Sequence, residues 1–561
     1  MPYKLPEWKE WTDEVIEDTH GKVRLYRDLF YGRHVEVFQR AKDLLEEGEI
    51  TDNLRNGRTV AKQGNVKTPY IIANGTKIIC KVPATMVSRA IGTLSLNEDQ
   101  EFPASATEGD VKPDDNGENA EGEGVVYLSD ILEDIERQSG FRRGAHYSNI
   151  LQQQIDGGIV GIPVMDDNGV RIEFKKREVY YPHEDGLGCD LVFVRTLENL
   201  EGEMEDFLHV HRQRVEDAVL TITENLYRLN DTKTEAVEEA EAMQILEVDT
   251  LERTFAGRTE PIAVYWANEP TFDYPLGISA IDGQESKQDE INWTLTRNAI
   301  TFERNGKPRI AVNKNVMSAL KHKAFERYGD ESVIDHRDME IVQMDEKTGK
   351  SIEIIQVDVT KIGDIKWIKD LLKLMFAETE TSDKAIDYDL SEGGGSSAQT
   401  GVAKFYDLFT SILKAERLIE EYVDFLQELV ENCFWLMSQD PKYQDIKVTR
   451  PSVHVKDVIP TTNKEKIETE VSAVSGGVRS KEKAVRNIND RDSDDAIEQE
   501  LERIEEDKSS VNSNSAAPLA LNNIQSMLDN PNSRETGSQG TQAQETATEN
   551  AENGAGLTAN E

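Results

Sequence analysis

Residues 402–437 read VAKFYDLFTSILKAERLIEEYVDFLQELVENCFWLM, with apolar side chains at Phe405, Leu408, Ile412, Ile419, Tyr422, Val423, Leu426, Leu429 and Cys433. Intervals of three and four sustained in this way mark one face of a helix, about 54 Å long at 1.5 Å per residue. The residues before it have the opposite character. Asp387 and Asp389 flank a tyrosine, Gly393, Gly394 and Gly395 follow in a row, and Ser396 and Ser397 come next. A Walker loop needs GxxxxGK[ST], whereas Gly395 and Gly401 are six apart and the next lysine is Lys404. A dinucleotide loop follows a strand; this run follows a helical pattern and an acidic approach that repels phosphate. The stretch 383–400 therefore fits a glycine-serine linker between two helices.

Upstream of the linker, 364–382 is a second helical pattern with Trp367, Ile368, Leu371, Leu372 and Met375. Before that, KPRIAVNKNVM (307–317) and SIEIIQVDVT (351–360) read as strands around a helix. Ser279 is a good N-cap, and 280–304 predicts a helix of about 37 Å interrupted only by Gly283. Its apolar stripe is thin, chiefly Ile281, Ile291, Leu295 and Ile300, which predicts neighbouring copies of the same helix as its partners.

The first half of the chain predicts an α+β domain. Residues 12–47 read as an arm or outer helix with Gly48 as C-cap, and YIIANGTKIIC (70–80) as a strand pair about a tight turn. A helix is expected after Pro83 in VPATMVSRAIGTLSL (82–96). The acidic stretch 97–124 predicts a disordered insertion, and 125–156 is helical in pattern. Residues 158–182 form a hairpin about DDNG. CDLVFVRTL (189–197) and PIAVYWAN (261–268) complete the domain together with a helical-looking 203–227. At the other end, DIKVTRPSVHV (445–455) is a strand, 462–508 predicts one or two polar helices, and 509–561 is too polar to offset ordering entropy.

The totals set limits. The chain has 561 residues, room for more than one core. With 64 basic against 107 acidic residues, its formal net charge is -43, which repels DNA and anionic membranes over most of the surface. Cys80, Cys189 and Cys433 show no CxxC spacing, so a disulfide framework or zinc site is disfavoured and an intracellular setting expected. No signal-peptide core and no run of eighteen apolar residues occurs.

Catalytic constellations are weak. His209 and His211, two apart on an expected helix, point to different faces and predict a solvated surface rather than a metal site. DDNG lacks EF-hand spacing, and neither GxSxG nor HExxH occurs. No catalytic residue, metal or cofactor is assigned. One basic pattern stands out: Lys366, Lys369 and Lys373 lie at i, i+3 and i+7 on one helix face. In a monomer this is a solvated face; in a ring of parallel helices it becomes stacked bands of positive charge able to touch a phosphate backbone.

The order of parts resembles the portal proteins of tailed bacteriophages, particularly those of long-tailed phages. YPLGISAIDGQESKQDEINWTLTRNAITFERNGKPRIAV looks like the family's approach to its first stem helix and clip, and SSAQTGVAKFYDLFTSILKAERLIEEYVDFLQELV like its loop and kinked long helix. SGGVRSKEKAVRNINDRDSDDAIEQELERIEED is similar to its crown-side ending. The resemblance spans roughly 20–508, and no single motif is diagnostic. It implies a helix-rich α+β fold: an N-terminal arm (1–50), a wing (51–274), stem helices (275–304 and 364–382) around a clip (305–363), and a tunnel loop (383–400). A long helix with a wing strand (401–460), crown helices (461–508) and a disordered tail (509–561) follow.

The resemblance also implies a non-enzymatic homo-oligomeric ring, typically of twelve copies, at one capsid vertex of the virion, assembled in the host cytoplasm. Through it DNA passes without sequence preference and without lasting attachment. Implied partners are the terminase, which hydrolyses the ATP, the head-completion adaptor, and the major capsid and scaffolding proteins; no membrane is involved. The implied tunnel-loop residues are Lys384, Asp387, Asp389, Glu392, Gly393, Gly394, Gly395, Ser396 and Ser397, the glycines letting the loop shift as DNA passes. Lys366, Lys369 and Lys373 are the candidate DNA-facing residues. Lys307, Arg309, Lys314, Lys321, Lys323 and Arg327 are the candidate clip residues for partners. Two other readings stay open at this level: a nucleotide-dependent hydrolase using the glycine loop, and an adaptor without DNA contact.

Overall fold

A computed structural model describes residues 8, 11, 13–46, 69–96, 99–103, 125–166, 169–230, 233–305, 309–313, 317–318, 321–322, 325–326, 329, 340–344, 352–355, 365–382, 401–443, 445–458, 463–489, 497 and 499–504. The chain is α+β, with helix predominating, and divides into two compact units, 1–460 and 461–561.

The first unit begins with α1 (Asp13–His20), α2 (Val23–Tyr31), α3 (His34–Val37) and α4 (Gln39–Glu46), where one helical arm was expected. The arm breaks at Gly21 and Gly32, whose φ values of +64° and +82° are left-handed; Gly48 lies outside the described residues. Ahead of it, the Trp8 indole donates to the buried Asp190 carboxylate at 2.9 Å.

Helix α5 (Gly75–Ala90) corrects both the strand pair over 70–80 and the helix start after Pro83. The Asn74 side chain caps it by accepting from Lys77 N at 2.9 Å, and Ile79, Cys80, Pro83, Ala84, Val87 and Ala90 are buried along it. The isoleucine pair that mimics a strand belongs to a helical face. Residues 91–95, expected to continue a helix, are strand β1 (Ile91–Ser95).

Strand β2 (Glu101–Pro103) pairs with β3 (Val125–Tyr127), so part of the stretch assigned to a disordered insertion is strand; 104–124 lie outside the described residues. The single helical stretch expected over 125–156 is two helices, α6 (Leu128–Gln138) and α7 (Ala145–Asp156). The expected hairpin is present as β4 (Gly158–Asp166) and β5 (Gly169–Lys176), with Asp166 opposite Gly169.

The helix expected over 203–227 is a hairpin. Strands β6 (Tyr180–Pro182), β7 (Gly188–Glu198), β8 (Met204–Glu216), β9 (Val219–Asn230) and β10 (Lys233–Ala236) form a sheet in the order β10-β9-β8-β7-β6. The turn from β8 to β9 uses Asp217 and Ala218 at φ +50° and +59°, the backbone of a two-residue hairpin. The misreading has a physical cause: Phe207, Leu208, His209 and Val210 are all buried. A strand covered on both faces loses the alternation that identifies strands. After α8 (Glu239–Leu246), β11 (Glu252–Ala256) adds to β9 and β12 (Val264–Ala267) to β4.

Helix α9 (Glu285–Asn305) begins later than the Ser279 cap predicted. The expected strands of the following module are β13 (Arg309–Asn313) and β15 (Ile352–Ile355), and β14 (Glu340–Met344), unforeseen, pairs parallel with β13. Helix α10 (Ile365–Glu378) is shorter than the predicted 364–382, and α11 (Gly401–Ser438) matches the opening stretch. The strand expected over 445–455 is confined to β16 (Ser452–Val455), which pairs with β1. Around α11 lies the main core, where Leu418, Tyr422, Phe425 and Leu429 meet Val87, Ile150, Ile159 and Trp266.

The second unit contains α12 (Asn463–Ser475) and α13 (Lys481–Ile488). The nearly buried Glu470 accepts from both Arg479 and, at 3.0 Å, Asn487. Residues 505–561 lie outside the described residues.

Candidate functional site

The segment leading into α9 is tied down by backbone polar groups. Asn268 N donates to Gly157 O at 2.9 Å, Ile278 N to Asn268 O at 2.7 Å and Ala280 N to Gln154 O at 3.0 Å. Arg177 Nη1 donates to Gly277 O at 2.9 Å. Ser279, expected as a cap, donates instead to Ile155 O at 2.6 Å. Gly277 has φ +81°, and a Cβ there would stand 2.3 Å from Gly157 O and 2.6 Å from Asn268 O. Gly283, at φ +74°, lies in the turn just before α9, which is why the helix starts after it.

Helix α9 carries a buried polar column. Gln288, Asn292 and Thr296 are each 0% exposed and lie four apart, on one face. They serve the backbone of residues 71–75: Ile71 N donates to Thr296 Oγ1 at 3.0 Å, Ala73 N to Asn292 Oδ1 at 3.2 Å and Gly75 N to Gln288 Oε1 at 2.9 Å. Gln288 Nε2 returns a bond to Ala73 O at 2.8 Å. Asn292 Nδ2 donates to His34 Nδ1 at 2.7 Å, while His34 Nε2 donates to Leu29 O at 2.8 Å. The thin apolar stripe, expected to meet neighbouring copies, also packs within the chain: Ile281 and Ile300 join Tyr26 and Leu29, and Ile291 joins Ile79. Extended backbone, which a helix cannot satisfy with apolar groups, is paired by amides and a hydroxyl. The polar spacing of 288, 292 and 296 is present in the sequence, but its partner segment lies more than two hundred residues upstream.

Helix α10 packs on α5 and α9 through Ile368, Leu371, Met375 and Phe376 against Ile79 and Ile291. Lys287 Nζ and Gln284 Nε2 bind Glu378 at 2.6 and 3.1 Å, and these bonds hold the Glu378 carboxyl below its ordinary range. Lys366, Lys369 and Lys373 are all exposed and share one side of α10, as their spacing predicts. Of the clip candidates, Lys321 is exposed and Arg309 lies in β13; Lys307, Lys314, Lys323 and Arg327 fall outside the described residues. So do all nine tunnel-loop candidates, Lys384 to Ser397, within 383–400.

The histidine pair reverses its expectation. On strand β8, residues two apart share a face, and both histidines bind one carboxylate. His209 Nε2 is 2.7 Å from Glu224 Oε2, and His211 Nδ1 is 2.7 Å from Glu224 Oε1. His209 is buried, not a solvated surface residue. Burial pushes the Glu224 carboxyl upward, but the imidazole hydrogen bonds outweigh it and hold it well below the ordinary range. Among the described residues no group of three or more His, Cys, Asp or Glu side chains is placed to hold a metal ion. Also among them, no helix is long and apolar enough to cross a membrane. No family model and no curated protein matches the chain.

Proposed function

We propose that this chain is the subunit of a portal-type ring at a capsid vertex. The ring conducts viral DNA during packaging and ejection and docks the terminase and head-completion proteins; the chain itself is not an enzyme. One observation carries the reading: the solvent side of α10 is divided into two faces. Lys366, Lys369 and Lys373 occupy one. Trp367 and Leu374, 46% and 49% exposed, occupy another, about 120° around the helix at 100° per residue. Trp367 and Leu374 together give this short helix a half-exposed apolar strip suited to a neighbour. In a ring each copy needs an apolar flank for its neighbour and a separate flank for the lumen, and α10 presents both.

The net charge of -43 supports the same reading, because a channel that bound DNA tightly along its length would stall it. Three lysines on one helix give weak contact with phosphates and no sequence readout. Electron microscopy of the purified chain tests the proposal. Closed rings with a central hole are expected, and a uniformly monomeric species at assembly concentration would overturn it.

A further inference from the structure

The end of α10 is fastened to α11 over four residues that are no longer helical. Thr379, Thr381 and Ser382 are 8%, 4% and 6% exposed, immediately before 383. Buried chain that has left a helix needs new partners for its backbone. Thr379 N and Thr381 N donate back into α10, to Met375 O and Phe376 O, and helix α11 serves two further backbone groups from residues 411 and 414, with Arg417 beside them. Ser411 Oγ accepts from Ser382 N at 2.7 Å, and Lys414 Nζ donates to Thr379 O at 3.0 Å. Arg417 lies 3.8 Å from Glu380 and 2.8 Å from Glu269. Glu380 itself is held at φ +54°, a conformation that side chains other than glycine adopt only at a cost.

Lys414 is the anomaly in this group. It is 4% exposed, and burial drives its pKa down, with Glu269 and Glu380 opposing the shift. A buried ammonium is expensive, and a methionine would fill similar volume without that expense. What an ammonium does and an apolar side chain cannot is grip a carbonyl at the negative end of a helix.

We infer that Ser411, Lys414 and Arg417 are positioning residues forming a latch that fixes the root of the 383–400 segment to α11. Load placed on that segment then passes into the long helix and, through Arg417 and Glu269, into the segment that follows β12. The source of the load rests on the ring reading; the latch does not.

Hydrogen exchange on the full chain tests the latch directly, using Lys414→Met and Ser411→Ala. Exchange at the Ser382 amide should rise at least about tenfold in Ser411→Ala, which removes its acceptor, and Lys414→Met, which takes the ammonium from Thr379 O, should raise exchange at Thr381 and Ser382 by loosening the turn that holds them. The melting temperature of Lys414→Met should hold or rise. Unchanged exchange in both variants would overturn the latch. In a DNA-packaging reaction with the same variants, uptake should fall while ring yield stays constant. Raised exchange with normal uptake would overturn the load path, whereas a wild-type chain that forms no rings would overturn the ring reading and leave the exchange result to decide the latch.

Discussion

Replacing Asn292 with leucine removes the centre of the polar column on α9 while keeping the number and branching of the side-chain heavy atoms. Two groups lose their partner: the part-buried Ala73 N–H, which donates to Asn292 Oδ1 at 3.2 Å, and the buried His34 Nδ1, which accepts from Asn292 Nδ2 at 2.7 Å. Gln288 Nε2 loses one bond but keeps Ala73 O. An orphaned buried group costs about 1–3 kcal/mol, and the added apolar burial returns about 1.5–3 kcal/mol. With two such groups costing about 2–6 kcal/mol together, the net expectation centres on a loss of about 2 kcal/mol, read as a lower urea midpoint at unchanged slope. Ile291→Val, on the same helix and fully buried, should cost about 0.5–1.5 kcal/mol. Combining Asn292→Leu with His34→Phe removes both ends of one bond and should recover part of the loss, because apolar replacement of both partners approaches neutrality. A stability for Asn292→Leu within about 0.5 kcal/mol of wild type, or a smaller loss than for Ile291→Val, would refute the claim that the polar column seats this helix.

Gly277→Ala should be far more damaging than Gly283→Ala in thermal melts. Both have left-handed φ, at about 1–2 kcal/mol each, but only Gly277 faces backbone atoms within 3 Å of an added Cβ, while Gly283 has nothing within 4 Å; equal effects would contradict the packing described. Burial, with Arg177 and Arg27 adding, lowers the pKa of His20 from 6.5 to about 3, and burial alone lowers that of His146 to about 4. The unfolded chain therefore binds more protons below pH 6.5, and stability should fall as pH drops from there toward 4, by up to about 1.4 kcal/mol per pH unit for each histidine. A denaturation series over that range should show a shallower slope for His20→Phe, and an identical slope would exclude His20 as a source. Changing Lys366, Lys369 and Lys373 together to Glu should leave rings intact and depress DNA packaging severely; normal packaging would remove these lysines from any DNA contact.

What could be read in advance follows the physics of each element. Helix α11 is amphipathic against one dominant core, so its period survives in the sequence. The β4–β5 hairpin announces itself by its turn residues. Strand β8 does not, because burial on both sides at residues 207–210 leaves no alternation to detect. Helix α5 is obscured in another way: its cap, Asn74, stands amid residues that also suit a turn between strands. At the candidate site, the lysine face of α10 follows from spacing alone. The column on α9 does not, since polar residues at helical intervals ordinarily face water, and nothing local indicates that an extended segment near residue 73 comes to meet them. The histidine pair shows how one error carries another: once 203–227 is taken as helix, residues two apart diverge, and their shared carboxylate cannot be seen.

The β1–β16 sheet closes over a long stretch of chain. Strand β1 pairs with β16, Ile91 opposite Val455, and nearby Gln100 Nε2 donates to Asp445 O across 345 residues. Helices α9, α10 and the module between them are thus an insertion within a core whose two halves are made at opposite ends of synthesis. At about 5–20 residues per second, the first half waits on the order of 20–70 s for its complement. During that interval the apolar faces of α5, β4 and β5 that α11 will cover are without it.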